Sequence, residues 1–324
     1  MTQNILVTGG AGYIGSHACK ALSEAGFRPI TLDNLCRGSR DFVKWGPLIQ
    51  ADIHQTDVVL DTLRAHDIAG VMHFAAFAQV GESVANPQKY YDNNVQGTLA
   101  LLHAMRQTNI RKILFSSTCA VYGSPDSLPI SEQTVPQPVN PYGRSKLVCE
   151  GILNDYAAYG FESIALRYFN AAGAAPGAGI GEQRETATRL IPRAVLAALG
   201  QINDFQVNGD DFPTRDGTAI RDYIHVSDLA DAHVIAMRHL LNDLPGGCYN
   251  LGTGVGHSIK DVLDVIKDLM GLESPPMTIG PRREGDPVEL FADASLAQDV
   301  LGFTPTRSDL KTIVRDTIDW FSSR

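Results

Sequence analysis

Between residues 5 and 169, short apolar runs alternate with stretches whose apolar residues recur every three or four positions. The short runs are 5–8, 30–32, 71–76, 113–116 and 164–168, each apolar or β-branched enough to read as a buried strand. Between them, Val59, Leu63 and His66 fall at helical spacing, as do Tyr91, Val95, Leu102 and Met105. Strand–helix alternation of this kind predicts an α/β fold: a parallel sheet, doubly wound, with helices on both faces. Glycine, alanine and Pro176 accumulate from 171 to 183, which reads as a loop and a boundary. The expected division is a first domain over 1–172 and a smaller mixed α/β substrate-binding domain over 173–324, whose segments are free to cross back. Helices are expected there at 227–241, 258–270 and 308–322.

Composition narrows the function. The 324 residues are 44% hydrophobic and 19% charged, enough apolar mass for a real core and room for about two domains. Acidic residues outnumber Lys and Arg by 36 to 27, for a net charge of −9. That field repels phosphate, so neither nucleic acid nor an anionic membrane is an expected partner. An anionic substrate would need local arginines. No apolar run approaches the ~18 residues of a membrane span, and the N-terminus lacks a signal-peptide pattern. The five cysteines are scattered without C-x-x-C spacing, which argues against disulfides and against a metal site. The expected compartment is the cytoplasm. Cys36, Cys119 and Cys149 read as packing residues, and His73 and His225 as structural rather than metal-ligating.

The first strand runs into Gly9-Gly10-Ala11-Gly12-Tyr13-Ile14-Gly15, and Ile14, Ala18, Leu22 and Ala25 then fall at helical spacing. In such a strand–turn–helix, Gly9 makes the tight turn, Gly12 lets backbone approach a pyrophosphate, and Gly15 lets helix pack on strand. The helix N-terminus adds amide donors and a positive dipole. Asp33 lies eighteen residues beyond Gly15, at the tip of the second strand run. A carboxylate there accepts from ribose hydroxyls and repels a 2′-phosphate, which favours NAD over NADP despite Arg37 and Arg40 nearby. The reading is a Rossmann-type dinucleotide fold, and the G-x-x-G-x-x-G spacing resembles the short-chain dehydrogenase/reductase superfamily.

Tyr142 and Lys146 stand four apart after Pro141, so on a helix they share one face about a turn apart. Oxidising an alcohol needs a base for the hydroxyl proton. A phenol of pKa about 10 serves near neutrality only if its ionised form gains roughly 4 kcal/mol, more than a surface ion pair supplies. A lysine and a cationic cofactor ring in a desolvated cleft suit that task. Ser116, Ser117 and Thr118 end a strand in three hydroxyls. The first two read as a polar strand exit bonded to its own backbone.

The chain closely resembles the UDP-glucose 4-epimerase (UDP-galactose 4-epimerase) family of the extended short-chain dehydrogenase/reductase type. The likeness runs through TGGAGYIGSH (8–17), LDNLCRGS (32–39), HFAAFAQVGESV (73–84), YYDNNVQGT (90–98), FSSTCAVYG (115–123), NPYGRSKL (140–147), RYFNAAGA (167–174), GTAIRDYIHVSDLADAHV (217–234), YNLGTG (249–254) and RREGDP (282–287). It implies an isomerase that interconverts UDP-glucose and UDP-galactose. The sugar C4 would be oxidised transiently with tightly bound NAD, the 4-keto-sugar would turn, and hydride would return to its other face. Thr118, Tyr142 and Lys146 would be the catalytic trio, a choice of hydroxyl that rests on the resemblance alone. Gly9, Gly12, Tyr13 and Ile14 would line the pyrophosphate, with Gly15 behind them. Asp33 and Asn34 would hold the adenosine ribose, and Asp52 and Ile53 would flank the adenine. Phe74, Ala75 and Ala76 would lie along the cofactor, Asn93 near it and Phe169 beside the nicotinamide. Asn170, Arg221, Arg283 and Asp286 would hold the UDP-sugar. Without the resemblance, each arginine is better read as a structural ion pair, for instance with Asp222 or Glu284.

Four positions depart from the pattern. Ala78 stands where a lysine is frequent, Thr118 where serine is, and Arg189 where some members have asparagine. Leu290 occupies a position associated with access for an N-acetyl group, where a tyrosine goes with plain hexoses. The sugar range therefore stays open to UDP-N-acetyl-hexosamines, UDP-pentoses and UDP-uronic acids. Related dehydratases place Asp-Glu just after the strand hydroxyl, and Cys119-Ala120 here disfavours that chemistry. A non-enzymatic alternative is an NAD-binding regulatory protein, which the intact Tyr142–Lys146 pair speaks against. The apolar residues around 91–107 and 142–156 suffice for two faces each, and the resemblance implies a homodimer joined through them.

Overall fold

β1 (Asn4–Thr8) is buried on both faces, Ile5 and Val7 on one and Leu6 on the other, as the two-residue period of a strand dictates. The computed structural model, which describes residues 2–183, 185, 187–273, 275–283 and 286–323, carries this strand inside a seven-stranded sheet. β2 (Arg28–Asp33), β3 (Leu48–Gln50), β4 (Ile68–His73), β5 (Lys112–Ser116) and β6 (Glu162–Tyr168) join it. β7 (Asn170–Ala172), β8 (Gln206–Asn208) and β9 (Ile220–His225) leave the sheet, and β10 (Gly247–Leu251) returns to it as an edge strand. The order is β10-β6-β5-β4-β1-β2-β3, with every pairing parallel.

Helices cover both faces. On one, Tyr13–Glu24 and Val226–Leu241 pack Ala18, Leu22, Leu229 and Met237 against Val7, Met72 and Leu166. On the other, Thr56–Ala65, Gly97–Gln107 and Pro141–Asp155 set Leu63, Leu102 and Leu153 against Leu6, Leu32 and Phe115. This is a Rossmann-type, doubly wound α/β sheet. A second apolar core joins helices Leu190–Ala198, Ile259–Met270 and Leu310–Ser322 through Val195, Ile266, Ile313 and Trp320. Beside it, β11 (Gly256–Ser258) pairs antiparallel with β9, β12 (Thr278–Gly280) pairs with β8, and β7 and β13 (Glu289–Leu290) pair parallel with β9. Helix Val226–Leu241 and β10 cross from this later part of the chain to the first sheet. No helix among the described residues is long and apolar enough to cross a membrane.

Local departures from the sequence pattern have physical causes. The run expected over 71–76 leaves the sheet after His73, because its partner β1 ends at Thr8 and turns at Gly9. The 171–183 loop begins as β7, whose backbone pairs with β9, and contains a 3₁₀ turn at Pro176–Ala178. Tyr91–Gln96 is a wider π turn ahead of helix Gly97–Gln107, an insertion that a 3–4 spacing count does not register. Cys149 is buried and Cys119 half-buried, but Cys36 is exposed and packs no core.

The strand order reverses between β1 and β4, and their C-terminal ends lead to Gly9 and Phe74. Such a switch point opens a crevice for ligand. One wall of it is fixed by a buried pair: Arg167 on β6 donates to both carboxylate oxygens of Glu150 on helix Pro141–Asp155, at 3.0 and 2.5 Å. Leaving one partner of such a pair uncompensated costs about 3–5 kcal/mol. Glu150→Ala is therefore expected to lower the urea midpoint of unfolding by an amount of that order. A midpoint equal to wild type would show that the pair anchors nothing.

Candidate active site

The glycine turn is enforced from two sides. A Cβ on Gly9, whose φ is +74°, would lie 2.7 Å from the Ala75 amide nitrogen, and one on Gly15 would lie 2.2 Å from the Gly9 carbonyl oxygen. Gly12 differs: its Cβ would have one atom within 4 Å outside its chain neighbours, the Gly9 oxygen at 3.2 Å. Gly12 is also the N-cap of helix Tyr13–Glu24, with no side chain capping that end. The first-turn amides, Tyr13, Ile14 and Gly15 among them, thus have no intrahelical partner. Open space that a single Cβ would enter, beside uncapped amides and a positive helix end, fits a pyrophosphate.

Asp33 ends β2 nearly buried. Its two carboxylate oxygens accept from the amides of Ala11 at 3.0 Å and Leu35 at 2.8 Å. Burial raises its pKa, and the Leu35 and Ala11 amides pull it back. Each oxygen keeps a lone pair for a hydroxyl such as those of ribose. Asn34 donates to Asp52 at 2.7 Å, which ties the loops after β2 and β3 together. Ile53 is buried, packed where a Cβ on Gly97 would strike it. Phe74, Ala75 and Ala76 follow β4 half-buried, and Asn93 donates to Asn94 at 2.9 Å. The donor set of this end therefore fits a dinucleotide.

Tyr142 and Lys146 enter the crevice from helix Pro141–Asp155. Pro141 stands in the first turn, and the Asn140 side chain caps the helix by accepting from the Gly143 amide at 2.9 Å. Both side chains are buried, Tyr142 at 8% and Lys146 at 3% exposure. Thr118, at the exit of β5, accepts from the Ala120 amide at 3.1 Å and lies near enough to the Tyr142 phenol to favour its ionised form. Lys146 Nζ donates to the Ser116 carbonyl at 2.7 Å and lies 4.6 Å from the Phe115 ring centroid. Ser116 and Ser117 do not serve their own backbone as expected: the Ser116 hydroxyl meets that of Tyr168, and Ser117 donates to Glu150. The local backbone bond belongs to Thr118.

Burial pushes the Tyr142 phenol above its ordinary pKa, and Tyr168 adds to the rise, while the Thr118 hydrogen bond opposes it. Burial brings Lys146 down to about 8, which leaves it largely charged near neutrality. The chain alone thus keeps Tyr142 protonated, and further positive charge is required before the phenol can act as a base.

At the far end, Phe169 and Leu290 share one apolar cluster with Val121, Tyr122, Ile130 and Ala292. Asn170 donates to the Asp222 carbonyl at 3.0 Å. Arg221 donates to Asp286 at 2.5 Å and to the Ile220 carbonyl at 2.8 Å. The Arg283 guanidinium lies 3.1 Å from the Asn208 side-chain oxygen once that amide is oriented to accept from it. Asp222 is not the partner of Arg221: its buried carboxylate accepts from the amides of Thr253, Gly254 and Ala292. Glu284, the other acid weighed from the sequence, lies outside the described residues.

The model of the NAD dependent epimerase/dehydratase family matches residues 5–252. The chain belongs to this family. It is 48% identical over 319 residues to a UDP-glucose 4-epimerase of Rhizobium leguminosarum bv. trifolii, covering 98% of this chain and 97% of the relative. Among solved structures, it resembles UDP-glucose 4-epimerase from Brucella ovis in complex with NAD, with a TM-score of 0.96 and 48% identity over 99% of this chain and 98% of the other. It also resembles the Stenotrophomonas maltophila enzyme with bound NAD and formylated UDP-arabinopyranose, with a TM-score of 0.95 and 42% identity over 99% and 98%.

Several residues that support the site lie in the stretches that carry the resemblance, and the sequence reading gave Asn94, Arg167, Tyr122 and Asn250 no role. Asn94 joins the exit of β4 to the Tyr142 helix, accepting from the Phe77 amide at 2.9 Å and donating to the Phe77 carbonyl at 3.1 Å and Ser145 at 3.0 Å. Both it and Asn93 sit within the π turn, and Asn93 was singled out by the resemblance alone. Arg167 links Glu150 to Tyr122, which donates to Asn250 at 2.8 Å. His73 lies 2.7 Å from the Thr8 hydroxyl and 3.0 Å from that of Thr98. His225 caps helix Val226–Leu241 and faces Asp316 at 3.1 Å.

The glycines separate binding from folding. Gly12→Ala is expected to weaken NAD affinity at least ten-fold, read by titration of cofactor-stripped protein, with little change in thermal midpoint. Gly15→Ala is expected to lower the midpoint as well, because its Cβ collides with backbone. Unchanged affinity in Gly12→Ala would remove the pyrophosphate from this turn.

Proposed function

We propose that this chain is an NAD-dependent UDP-glucose 4-epimerase that interconverts UDP-glucose and UDP-galactose. The observation that carries the reading is that buried Tyr142 and Lys146, one turn apart on one helix, enter the switch-point crevice at the exit of β5, where Lys146 donates to the Ser116 carbonyl and Thr118 follows two residues on. Cys119 and Ala120 follow Thr118, so no carboxyl is supplied there for the second proton transfer of a dehydration. Gly9, Gly12, Tyr13, Ile14 and Gly15 would hold the cofactor pyrophosphate, and Asp33 with Asn34 its ribose. Asp52 and Ile53 would flank the adenine, and Phe74, Ala75, Ala76, Asn93 and Phe169 would line the rest. NAD, when bound, supplies a reversible two-electron acceptor for the sugar carbon and a positive charge in the cleft.

Tyr142 takes the proton of the sugar 4-hydroxyl and later returns it to the same oxygen. Thr118 steadies that oxygen through a hydrogen bond. Lys146, held against the Ser116 carbonyl, keeps a cation on the phenol's own helix. Arg221 and Arg283 hold the diphosphate, a task suited to planar bidentate donors. Asn170 and Asp286 orient the nucleotide, and the sugar turns while that anchor stays. Leu290 forms an apolar wall there with Phe169.

The wider assignments follow the same reading. Residues 1–172 bind the cofactor, and 173–324 hold the sugar nucleotide except where 226–251 crosses back. The working form is a homodimer in the cytoplasm, with no nucleic-acid partner. Exposed Leu99 and Val148 support the dimer. They stand on helices that meet where the Cys149 thiol contacts Thr98.

The decisive assay incubates purified protein with UDP-galactose without added cofactor and follows UDP-glucose by proton NMR. UDP-glucose is expected to form without net NADH. A 6-deoxy-4-keto product would overturn the reading. Tyr142→Phe is expected to lower kcat at least 100-fold with NAD still bound. Because a base must be deprotonated, wild-type kcat should rise with pH through the Tyr142 titration and fall as acid returns the proton. A flat profile together with an active Tyr142→Phe would remove Tyr142 from the chemistry.

A further inference from the structure

Arg37 and Arg40 follow Asp33 after β2, where an arginine would suit a 2′-phosphate, yet both turn elsewhere. Arg40 donates to Gln50 on β3. Arg37 Nη2 donates to Glu82 Oε1 at 3.3 Å, and Glu82 stands on the short helix Val80–Ala85 that follows β4. β1 lies between β2 and β4 in the sheet. The pair therefore joins the chain leaving β2 to the chain leaving β4, across the exit of the strand that runs into the glycine turn. Both posts are pinned. On one side the Ser39 amide donates to the Ala11 carbonyl at 2.9 Å, and a Cβ on Gly38 would lie 2.9 Å from the Ala11 side chain. On the other, Glu82 accepts from Lys89 Nζ at 2.7 Å, and its second oxygen lies 2.9 Å from the buried Tyr90 hydroxyl, which accepts from the Gln79 amide at 3.0 Å. Arg37 is exposed and Glu82 half-buried, so the joining bond faces solvent while both posts are held.

We propose that Arg37 and Glu82 are positioning residues for the cofactor: their ion pair is a strap that closes the crevice over the glycine turn and slows the departure of NAD. The inference rests on NAD lying in this crevice against Gly12. A dinucleotide with its pyrophosphate at the Gly12 end of helix Tyr13–Glu24 and its ribose at Asp33 lies between the two posts. Ala11 of the turn touches one post, and Ala75, which a Cβ on Gly9 would strike, leads to the other. The segment Phe74–Gln79 carries no ionisable side chain that would replace the pair. A single ion pair at this exposure is weak, and weakness suits a strap. Opening it breaks one solvent-facing contact and leaves the sheet, the glycine turn and the Tyr90 anchor in place. The rate of cofactor exchange is thereby set apart from the stability of the fold. Arg37 committed to Glu82 is also withdrawn from a 2′-phosphate, in keeping with NAD as the cofactor.

The test measures how fast bound NAD leaves the holoprotein, by exchange against excess etheno-NAD followed by fluorescence. Wild type is compared with Arg37→Gln, Glu82→Gln, the double variant and Arg37→Lys. Each glutamine variant is expected to release NAD about three- to five-fold faster, the size that loss of an exposed ion pair allows. The double variant should be no faster than the quicker single one, since both changes remove the same contact. Arg37→Lys, which keeps the charge, should stay near wild type. Release from wild type should quicken with added salt more steeply than release from the glutamine variants, because salt screens the pair. Release rates equal to wild type in both single variants would overturn the strap. Effects that multiply in the double variant would overturn it too, because Arg37 and Glu82 would then act on the cofactor separately. Unchanged NAD affinity in Gly12→Ala would instead take the cofactor away from this turn and remove the ground of the inference. Turnover of UDP-galactose does not enter the readout, so failure of the epimerase reading leaves the test standing. Thermal midpoints identify a variant that fails to fold, and the salt dependence of wild-type release then carries the comparison with whichever single variant folds.

Discussion

The helix bearing Tyr142 is held to the sheet by a buried ion pair, and the geometry of the whole crevice depends on it. Glu150 lies two turns beyond Tyr142, and Arg167 stands on β6 beside the strand whose exit carries Thr118. Ser117 donates to the same carboxylate, so one acid registers helix, neighbouring strand and strand exit together. Taking two charges out of water is costly, and a buried pair alone is weak evidence for stability. Here further bonds offset the cost. Arg167 also donates to Tyr122 at 2.9 Å, Tyr122 donates to Asn250, and the Asn250 side chain donates to the Ile130 carbonyl at 2.9 Å. The chain of bonds ends in the apolar cluster that contains Leu290 and Phe169. A fully satisfied polar network is well suited to specifying one arrangement of side chains across the two halves of the cleft.

That rigidity bears on acidity. A desolvated phenol is a weaker acid than a solvated one, and burial of Tyr142 is the dominant effect on it. The site therefore does not rest in a reactive protonation state. With Tyr142 as the proposed base, the site becomes reactive when positive charge is added beside the buried phenol, because low dielectric strengthens every such interaction. The same burial brings Lys146 down to about 8 yet leaves it charged near pH 7. On the proposed reading, a site built this way suits a cofactor that remains bound through many turnovers, since its loss would leave the Tyr142 phenol protonated.

Much of this was legible in the residues. The glycine turn, Asp33 at a strand tip and the Tyr142–Lys146 spacing are local patterns, and local patterns survive folding. The parallel sheet followed from strand–helix alternation. What the sequence hid were contacts between distant segments. Asn94 meets Phe77 and Ser145, and Arg167 meets Glu150 and Tyr122, across separations that no periodicity encodes. The π turn at Tyr91–Gln96 escaped because an inserted residue leaves helical spacing nearly intact over a short window. The strand expected to run to Ala76 stopped at His73 because strand length depends on a partner, and β1 turns away at Gly9. Thr118 needed the resemblance, since three adjacent hydroxyls look alike until the fold assigns two of them to Tyr168 and Glu150.

The net charge of −9 raised the question of how such a chain would hold a diphosphate. The answer lies in how its cations are held. Arg221 is oriented by Asp286, Arg189 by Glu182, and Arg283 lies against the Asn208 amide. A guanidinium has five N–H donors, so one acidic partner fixes its plane without exhausting it. Each acid adds to the net charge while it places a cation, so overall charge and local potential are set separately. A diphosphate reaching Arg221 would share a guanidinium already oriented by Asp286. Less ordering entropy is then spent at the moment of binding. The opposing carboxylate weakens the attraction but sharpens its direction, which suits an anchor that must hold one end of a molecule while the other end turns.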